Sequence, residues 1–275
     1  MRELKLSTTI FLWVLAVVIT LASVVYQRMT GPTYPLRGEV EIEGNTISYK
    51  LLRTYENISD AEMKIVTESA NISGRLKYRR YKSHDQWHTL KLPQHGDTLL
   101  ISLPKQPAAG KIMYELTLID SAGREYPLQE EPTIIRFKGP VPISVLIPHI
   151  ILMFGAMLLS TRTGLDALMR GRLSFRYTVI TTVVMFVGGL VMGPLVQKYA
   201  FDALWTGWPF GHDLTDNKTL VAFVFWLIAL WRARRFPDGR AWIIVASIVT
   251  LVIFLIPHSV LGSEIDYTQM EMVKE

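Results

Sequence analysis

Five stretches of the chain are almost entirely apolar over a length that suits a membrane-spanning helix. A transmembrane α-helix requires about 20 mostly apolar residues. Stretches close to that length run over residues 7–26, 143–161, 177–196, 218–231 and 241–256. The last two are short, but they are rich in phenylalanine and tryptophan and are separated by a brief turn that contains arginine. The pattern therefore predicts five transmembrane helices, of which the last two form a hairpin.

Between the first two apolar stretches, the residues alternate between apolar and polar with a period of two. Clear examples are Gly38–Ile42, Thr46–Tyr49 and Lys111–Leu118, and such alternation is typical of half-buried strands. Glycine, proline and asparagine mark turns between these runs. About seven strands at this spacing predict an all-β domain, a β-sandwich like those of immunoglobulin and fibronectin type III domains.

These patterns divide the chain into four parts. Residues 1–29 form a membrane anchor that we expect to stay uncleaved, because its apolar core is long and no small-residue cleavage site follows it. The β-sandwich occupies residues 30–140, a four-helix transmembrane domain residues 141–258, and a C-terminal tail residues 259–275. Prolines on both sides of the β-domain predict stiff connections to the membrane.

The orientation follows from the basic residues, which accumulate in short cytoplasmic loops. Three basic clusters fall on one side of the predicted membrane. They are Arg2 with Lys5; Arg162, Arg170, Arg172 and Arg176; and Arg232, Arg234, Arg235 and Arg240. We therefore expect a protein of the cytoplasmic (inner) membrane with a cytoplasmic N-terminus. The β-domain and the tail would lie on the extracytoplasmic, periplasmic side.

Composition excludes several classes of function. The net charge is +5, but the arginines are spread over short loops, which argues against nucleic acid as a partner. The chain contains 0 cysteines, which excludes disulfides, thiolate metal sites, iron–sulfur clusters and attached c-type haem. Motifs of metalloproteases, serine hydrolases and phosphate-binding loops do not occur. Within the predicted spans, His149 is the ionisable residue at depth, which argues against a pump or transporter.

Histidines and carboxylates gather at the predicted outer membrane boundary. His149 begins the second span, His212 and Asp213 lie in the loop before the fourth, and His258 and Glu264 follow the fifth. These residues would suit zinc or copper. His149 and His258 alone would suit the two axial positions of a haem b. Structural hydrogen bonding of these histidines is the alternative.

Other residues of the same loop have structural interpretations. Trp205, Trp208 and Phe210 suit an interfacial aromatic belt. A second group suits the N-cap of the fourth span, namely Thr215, Asp216 and Asn217. In the third span, Gly189 and Gly193 form a G-x-x-x-G pattern that allows close helix packing, within this chain or against another subunit.

Two functions from different classes remain. The first is a non-catalytic scaffold, accessory or assembly subunit whose outward β-sandwich binds a protein partner in the membrane or periplasm, with lipids around its spans. The second is a membrane-embedded redox or metal-dependent enzyme that uses the outer histidines. On the β-domain, Arg75, Lys77 and Arg79 would share one strand face and face solvent, an acidic partner or lipid headgroups.

Overall fold

The structure, a computed structural model, describes residues 3–236, 239–257 and 262–272, with side chains to residue 269. It combines apolar helices with three β-sheets, which confirms a membrane protein with a β-rich part. The chain forms two units. The helical unit comprises Met1–Pro32 and Val141–Gly262, and the β unit comprises Thr33–Pro140 and Ser263–Glu275.

The helical unit is built from long apolar helices. They are α1 (Leu6–Thr30), α2 (Ile143–Leu168), α3 (Ser174–Met185), a π-helix (Phe186–Met192), α4 (Gly193–Phe201), α5 (Leu214–Arg235) and α6 (Gly239–Leu255). The segments α3, π-helix and α4 follow one another without a break, over Ser174–Phe201. In the described part of the chain, 4 helices are long and apolar enough to cross a membrane, whereas α6 is shorter.

The helices extend beyond the apolar stretches that predicted them. The second predicted span ends at residue 161, but α2 continues to Leu168, and Arg162 and Asp166 each retain 1% exposure there. Lys218, in the first half of α5, retains 5% exposure. These buried charges lie outside the predicted second span or at the first residue of the predicted fourth span. Hydropathy reports the mean polarity of a stretch, and it does not detect a charge that has a partner inside the bundle.

Polar contacts join the helices near both ends of the helical unit. Glu3, just before α1, forms an ion pair of 2.6 Å with Arg172 in the α2–α3 connection. At the opposite end, Gln27 of α1 and Lys218 of α5 donate hydrogen bonds to the last carbonyls of the α6 region, with distances of 2.9 Å to Phe254 O and 2.8 Å to Ile256 O. These donors satisfy acceptors that a helix C-terminus leaves free.

The helices pack closely through small residues. Gly164 of α2 faces Ser247 of α6 so tightly that a Cβ at position 164 would lie 2.3 Å from the Ser247 hydroxyl oxygen. The same hydroxyl donates a 2.9 Å hydrogen bond to the carbonyl of Ser160. Trp226 of α5 is fully buried and donates from its indole nitrogen to Thr250 of α6 at 2.8 Å. Small residues and interhelical hydrogen bonds of this kind hold membrane helices together.

The β unit contains short strands with alternating burial. They are β1 (Leu36–Ile42), β2 (Asn45–Leu51), β3 (Thr54–Glu56), β4 (Ala61–Val66), β5 (Ser73–Arg80), β6 (His88–Lys91), β7 (Gln94–His95), β8 (Thr98–Leu103), β9 (Lys111–Ile119), β10 (Glu125–Pro127) and β11 (Thr133–Lys138). In the hairpin of β1 and β2, Glu43 and Gly44 both have positive φ, 53° and 82°. This two-residue loop matches the twist of the two strands.

The strands form three sheets around one apolar core. One sheet has the order β3-β11-β9-β5-β6 with β10 beside β9, the second has the order β4-β8-β7, and β1 pairs with β2. Every pair is antiparallel except β3 with β11, which is parallel. Leu76 of β5, Leu99 of β8 and Phe137 of β11 are among the fully buried residues of the core.

The C-terminal segment belongs to the β unit. A short helix α7 (Tyr267–Met272) begins there, and Tyr267 is 5% exposed with its hydroxyl donating to Gln106 at 3.0 Å. The backbone amide of Ile265 donates to Ala109 at 3.2 Å, and that of Thr268 donates to Lys82 at the same distance. The chain end is therefore packed onto the strands by both backbone and side-chain contacts.

Candidate functional site

His149 of α2 contacts the π-helix that follows α3. Its ring nitrogen Nδ1 is 3.0 Å from the carbonyl oxygen of Gly188. A π-helix shifts the hydrogen bonding of the backbone by one residue, and such segments often occur at functional sites. If Nδ1 carries the proton and donates to this carbonyl, Nε2 keeps its lone pair as an acceptor or ligand.

The glycines of the third span pack within the chain. A Cβ at Gly188 would lie 2.9 Å from the Cβ of Leu152, and one at Gly189 would lie 2.6 Å from the methyl group of Thr219. The π-helix therefore sits tightly between α2 and α5. These contacts correspond to the interpretation of the glycine pattern as helix packing within this chain.

The loop before α5 is bound to the first turn of that helix. The Asp216 carboxylate accepts hydrogen bonds from the backbone amides of Thr206 and Gly207 at 2.7 and 3.0 Å. Asn217 accepts from the amide of Trp208 at 2.6 Å. A Cβ at Gly207 would lie 2.6 Å from the Cβ of Asp216, so a larger residue there would push the loop away.

The N-cap of α5 is Asp213 rather than one of the three residues that the sequence suggested. Its carboxylate accepts from the amide of Thr215 at 2.8 Å, and the residue is 8% exposed. The neighbouring His212 is exposed. Trp208 and Phe210 retain 68% and 83% exposure, as side chains of an interfacial aromatic belt would outside a bilayer.

Glu264 and His258 are the other two members of the predicted histidine and carboxylate site. Glu264 forms ion pairs with Lys82 and Lys111 in the β unit. His258 lies outside the described residues. Among the residues that are described, no group of three histidine, aspartate or glutamate side chains is arranged to hold a metal ion. The zinc, copper or haem b site with His149, His212, His258, Asp213 and Glu264 stays a prediction.

Glu264 lies in the C-terminal segment, outside the membrane-spanning helices, and two lysines of the β unit balance its negative charge. Burial alone would raise the pKa of its carboxyl, but hydrogen bonds from Lys111 and Lys82 outweigh that effect and hold the pKa below its usual value. The same hydrogen bond raises the pKa of Lys82. Arg136 adds a hydrogen bond to the carbonyl of Ser263. The C-terminal segment is thus held by complementary charge as well as by Tyr267.

A buried ion pair that the apolar pattern did not reveal lies at the basic end of the helical unit. Arg162 donates to the carboxylate of Asp166 at 3.1 Å, one turn along α2. The guanidinium carbon lies 5.4 Å from the ring centre of Trp13 in α1 and 5.0 Å from that of Tyr177 in α3. Arg162 therefore joins three helices through one ion pair and two cation–π contacts.

The connection from α2 to α3 closes over this pair. The Ser174 hydroxyl donates to the other carboxylate oxygen of Asp166 at 2.8 Å. A Cβ at Gly171 would lie 2.3 Å from that carboxylate, so the turn has room only for glycine. The Nε and Nη2 atoms of Arg162 are buried and have no hydrogen-bond partner in the described chain. A charge buried in this way needs every available partner, because desolvation of an ion costs several kcal/mol.

Sequence reasoning missed the Arg162 and Asp166 pair because it counted Arg162 with the cytoplasmic loop. The signal was present in the spacing, since an arginine and an aspartate four residues apart lie on the same face of a helix. What that spacing does not reveal is that Trp13 and Tyr177 cover the pair. Arg162 thus contacts α1 and α3 from α2, and Asp166 contacts the start of α3 through Ser174.

The described helical unit thus contains a histidine in contact with a π-helix carbonyl, a loop fixed by carboxylate and amide side chains, and a buried ion pair. The chain matches no protein-family model, and no curated protein is similar to it at a significant level.

Proposed function

We propose that this chain is an integral membrane scaffold or assembly subunit whose β unit binds a partner protein outside the cytoplasm. In this proposal the N-terminus is cytoplasmic, five helices cross the cytoplasmic membrane, and the β unit with the C-terminal segment lies on the periplasmic side. The described contacts support the number of spans, the fold of the β unit and the non-catalytic role separately.

The C-terminal segment supports a fifth span. It packs with the β strands, so the strands and the segment must lie on the same side of a membrane. Between them the chain runs through α2, the continuous helix of α3 and α4, α5, and α6. An even number of crossings agrees with this placement, which supports α6 as one of them. Its 17 residues span about 25 Å, which modest thinning of the bilayer accommodates.

The basic end of the helical unit supports a cytoplasmic N-terminus. The ion pair of Glu3 with Arg172 and the contact of Arg162 with Trp13 bring the start of α1 and the α2–α3 connection to the same end. Arg234 and Arg235 end α5 and are exposed. Lysine and arginine in short loops remain preferentially on the cytoplasmic side.

The strand order supports an immunoglobulin-like sandwich. In such domains one sheet has the order A-B-E-D and the other contains G, F and C, with C′ at its edge in the larger variants. The sheet β4-β8-β7 corresponds to B-E-D, and β11-β9-β5-β6 corresponds to G-F-C-C′. The parallel pairing of β3 with β11 places the additional strand beside G.

The observation that carries the scaffold proposal is how the helical unit uses its buried polar groups. Arg162 and Asp166 bind each other, Lys218 binds the carbonyl of Ile256, and Gln27 binds that of Phe254. The last two contacts join helices at a helix end, and Arg162 also contacts Trp13 of α1 and Tyr177 of α3. Such contacts between helices favour a rigid frame, whereas alternating access in a transporter requires one helical bundle to move against another.

Site-specific photo-crosslinking in living cells tests the proposal. A photoreactive amino acid is introduced at exposed positions of the β unit, Lys64 and Lys105, and at Arg235 as a control on the other membrane side. We expect the β-unit positions to form adducts with one and the same protein, and Arg235 to form none with it. Adducts of that protein from Arg235 alone, or of no common protein, would refute the proposal.

The contact of His149 supports a second candidate, a redox or metal-dependent membrane enzyme. Histidines that bind metals usually donate the other ring N–H to a carbonyl or carboxylate, and His149 with Gly188 O has that arrangement if Nδ1 carries the proton. The test is metal analysis and haem spectroscopy of the purified protein and of the His149→Ala variant. Stoichiometric metal or haem that the variant loses would establish this candidate, and equal contents in both proteins would eliminate it.

A further inference from the structure

Strand β6 is an open edge of the larger sheet. Within the residues that the structure describes it pairs with β5 alone, and all four of its residues are exposed. Leu90 retains 48% exposure, and Trp87, just before the strand, retains 37%. An edge strand presents backbone donors and acceptors that can pair with another chain.

The register shows which backbone groups of β6 face outward. The amide of Leu92, just beyond the strand, donates to the carbonyl of Gly74 at 2.8 Å. In an antiparallel ladder, bonded and non-bonded pairs alternate. Leu90, paired with Leu76, is therefore bonded to β5, whereas Thr89 and Lys91 direct their amides and carbonyls away from it. These two residues offer the groups that an added strand requires.

The side chains on the outer face of this edge are mainly basic. Thr89 pairs with Lys77 and Lys91 pairs with Arg75, so these side chains share one face. Lys77 and Lys91 are exposed, and no ion pair with either is found in the described chain. Arg75 differs, because Glu125 neutralises it through two hydrogen bonds of 2.8 and 2.5 Å.

Arg79 continues the basic face toward the end of β5. Its guanidinium carbon lies 5.0 Å from the ring centre of Trp87, so the aromatic ring covers part of the cation. Across the next strand, Glu115 is paired with Lys77, and Glu125, which binds Arg75, also lies within electrostatic reach of Lys77. Lys77, Arg79 and Lys91 against Glu115 leave an excess of positive charge.

We propose that β6 binds an extended acidic segment of a partner protein, which adds to the sheet as a further strand. This inference rests on the proposed function and names the surface and the partner chemistry. The lysines that would repel another basic edge attract an acidic strand, because charges directly opposite across strands interact. Main-chain hydrogen bonds supply affinity in such strand addition, and alternate side chains supply specificity.

The pleat of the sheet defines the sequence of the partner segment. Successive side chains of a strand point to opposite faces. Acidic residues of the segment would lie on the face of Lys77 and Lys91, and apolar residues would lie on the opposite face beside Leu90. The partner segment therefore alternates acidic and apolar residues over the length of a short strand.

A peptide-binding experiment tests the charge requirement with the full chain in lipid nanodiscs. The probe is a fluorescent synthetic peptide in which glutamate alternates with valine, and a peptide with lysine in place of glutamate is its control. We expect the variant Lys77→Glu/Lys91→Glu to weaken binding of the glutamate peptide by about tenfold or more. The matched control is Lys50→Glu, at an exposed lysine of β2 in a different sheet, and this variant should bind as the natural chain does.

A proline substitution tests the backbone requirement. Thr89→Pro removes an amide that faces the open edge and leaves the β5–β6 bonds in place, a position where edge strands tolerate proline. Thr89→Ala removes the side chain and keeps the amide. We expect the proline variant to lose binding and the alanine variant to keep it, with equal circular dichroism spectra and melting temperatures.

Two results would overturn the inference: equal binding of the glutamate and lysine peptides, or equal binding by the Thr89→Pro and Thr89→Ala variants. Crosslinking in cells distinguishes failure of the β6 inference from failure of the proposed function. If Lys64 and Lys105 still crosslink to one partner in cells that carry Lys77→Glu/Lys91→Glu, the β unit binds a partner elsewhere and the β6 inference alone is wrong. If no position of the β unit crosslinks to a common protein, the proposed function is wrong as well.

Discussion

Removal of either member of the Arg162 and Asp166 pair should destabilise the helical unit strongly. The two side chains are 1% and 2% exposed and 3.1 Å apart. Loss of one partner of a buried ion pair typically costs about 3–5 kcal/mol, because the remaining charge stays buried without compensation. We expect Arg162→Met and Asp166→Leu each to lower the free energy of unfolding by an amount in that range.

Asp166→Leu should lower the free energy of unfolding more than Arg162→Met does. An arginine guanidinium remains charged in proteins, whereas a carboxyl group can become neutral by taking up a proton. Asp166→Leu leaves the Arg162 guanidinium in contact with only the rings of Trp13 and Tyr177. It also removes the carboxylate oxygen that accepts the 2.8 Å hydrogen bond of the Ser174 hydroxyl. Asp166→Leu should therefore cost more than Arg162→Met, by about 1 kcal/mol for the lost hydrogen bond alone.

The double variant decides between an ion pair and two independent contacts. With both charges absent, no buried charge remains, so Arg162→Met/Asp166→Leu should be more stable than Asp166→Leu and cost less than the sum of the single variants. The assay is reversible unfolding of the purified protein in mixed micelles, followed by helical circular dichroism. Arg176→Met, an exposed arginine of α3, is the control and should change stability by less than about 0.5 kcal/mol. Single variants within that limit, or strictly additive effects, would refute the reasoning.

Four further results are expected. The Glu264 carboxyl has a lowered pKa in the folded unit, so its stabilising effect should be complete above about pH 4.5. This effect should decrease as the pH falls through the pKa of the folded state, and melting curves of Glu264→Gln should lack this pH dependence. Tyr267→Ala should release the C-terminal segment, seen as faster proteolysis there, and slow cleavage would contradict that packing. Gly171→Ala should destabilise the helical unit by about 1–3 kcal/mol in the same micelle assay, since its Cβ would overlap the Asp166 carboxylate. The chain has 0 cysteines, so an impermeant maleimide added to sealed cells should label Lys105→Cys and leave Arg235→Cys unlabelled, and the reverse would invert the proposed orientation.

The amino-acid sequence by itself determined the class of this protein. Long apolar stretches must be removed from water, and a helix satisfies its own backbone within a bilayer. Alternation with a period of two predicted strands in the middle of the chain, and the runs Gly38–Ile42, Thr46–Tyr49 and Lys111–Leu118 lie in β1, β2 and β9. Both signals are local, because each depends on the residues of one stretch and the solvent around it.

The partners of the charged residues were decided by tertiary structure. Arg162 belonged to a basic loop by sequence, yet Trp13 and Tyr177 from two other helices cover it. Glu264 was grouped with the histidines, yet two lysines of the β unit bind it. The stability of a charge depends on groups within a few ångströms, and those groups come from distant positions of the chain.

Helix boundaries and the open sheet edge also depended on the folded arrangement. The sequence offered three candidates for the N-cap of α5, but Asp213 caps the helix because Asp216 and Asn217 bind the preceding loop. The outward amides of Thr89 and Lys91 follow from the register with β5, and a shift by one residue would exchange them with their neighbours. Hydropathy thus decides which segments leave water, and packing decides which polar groups then meet.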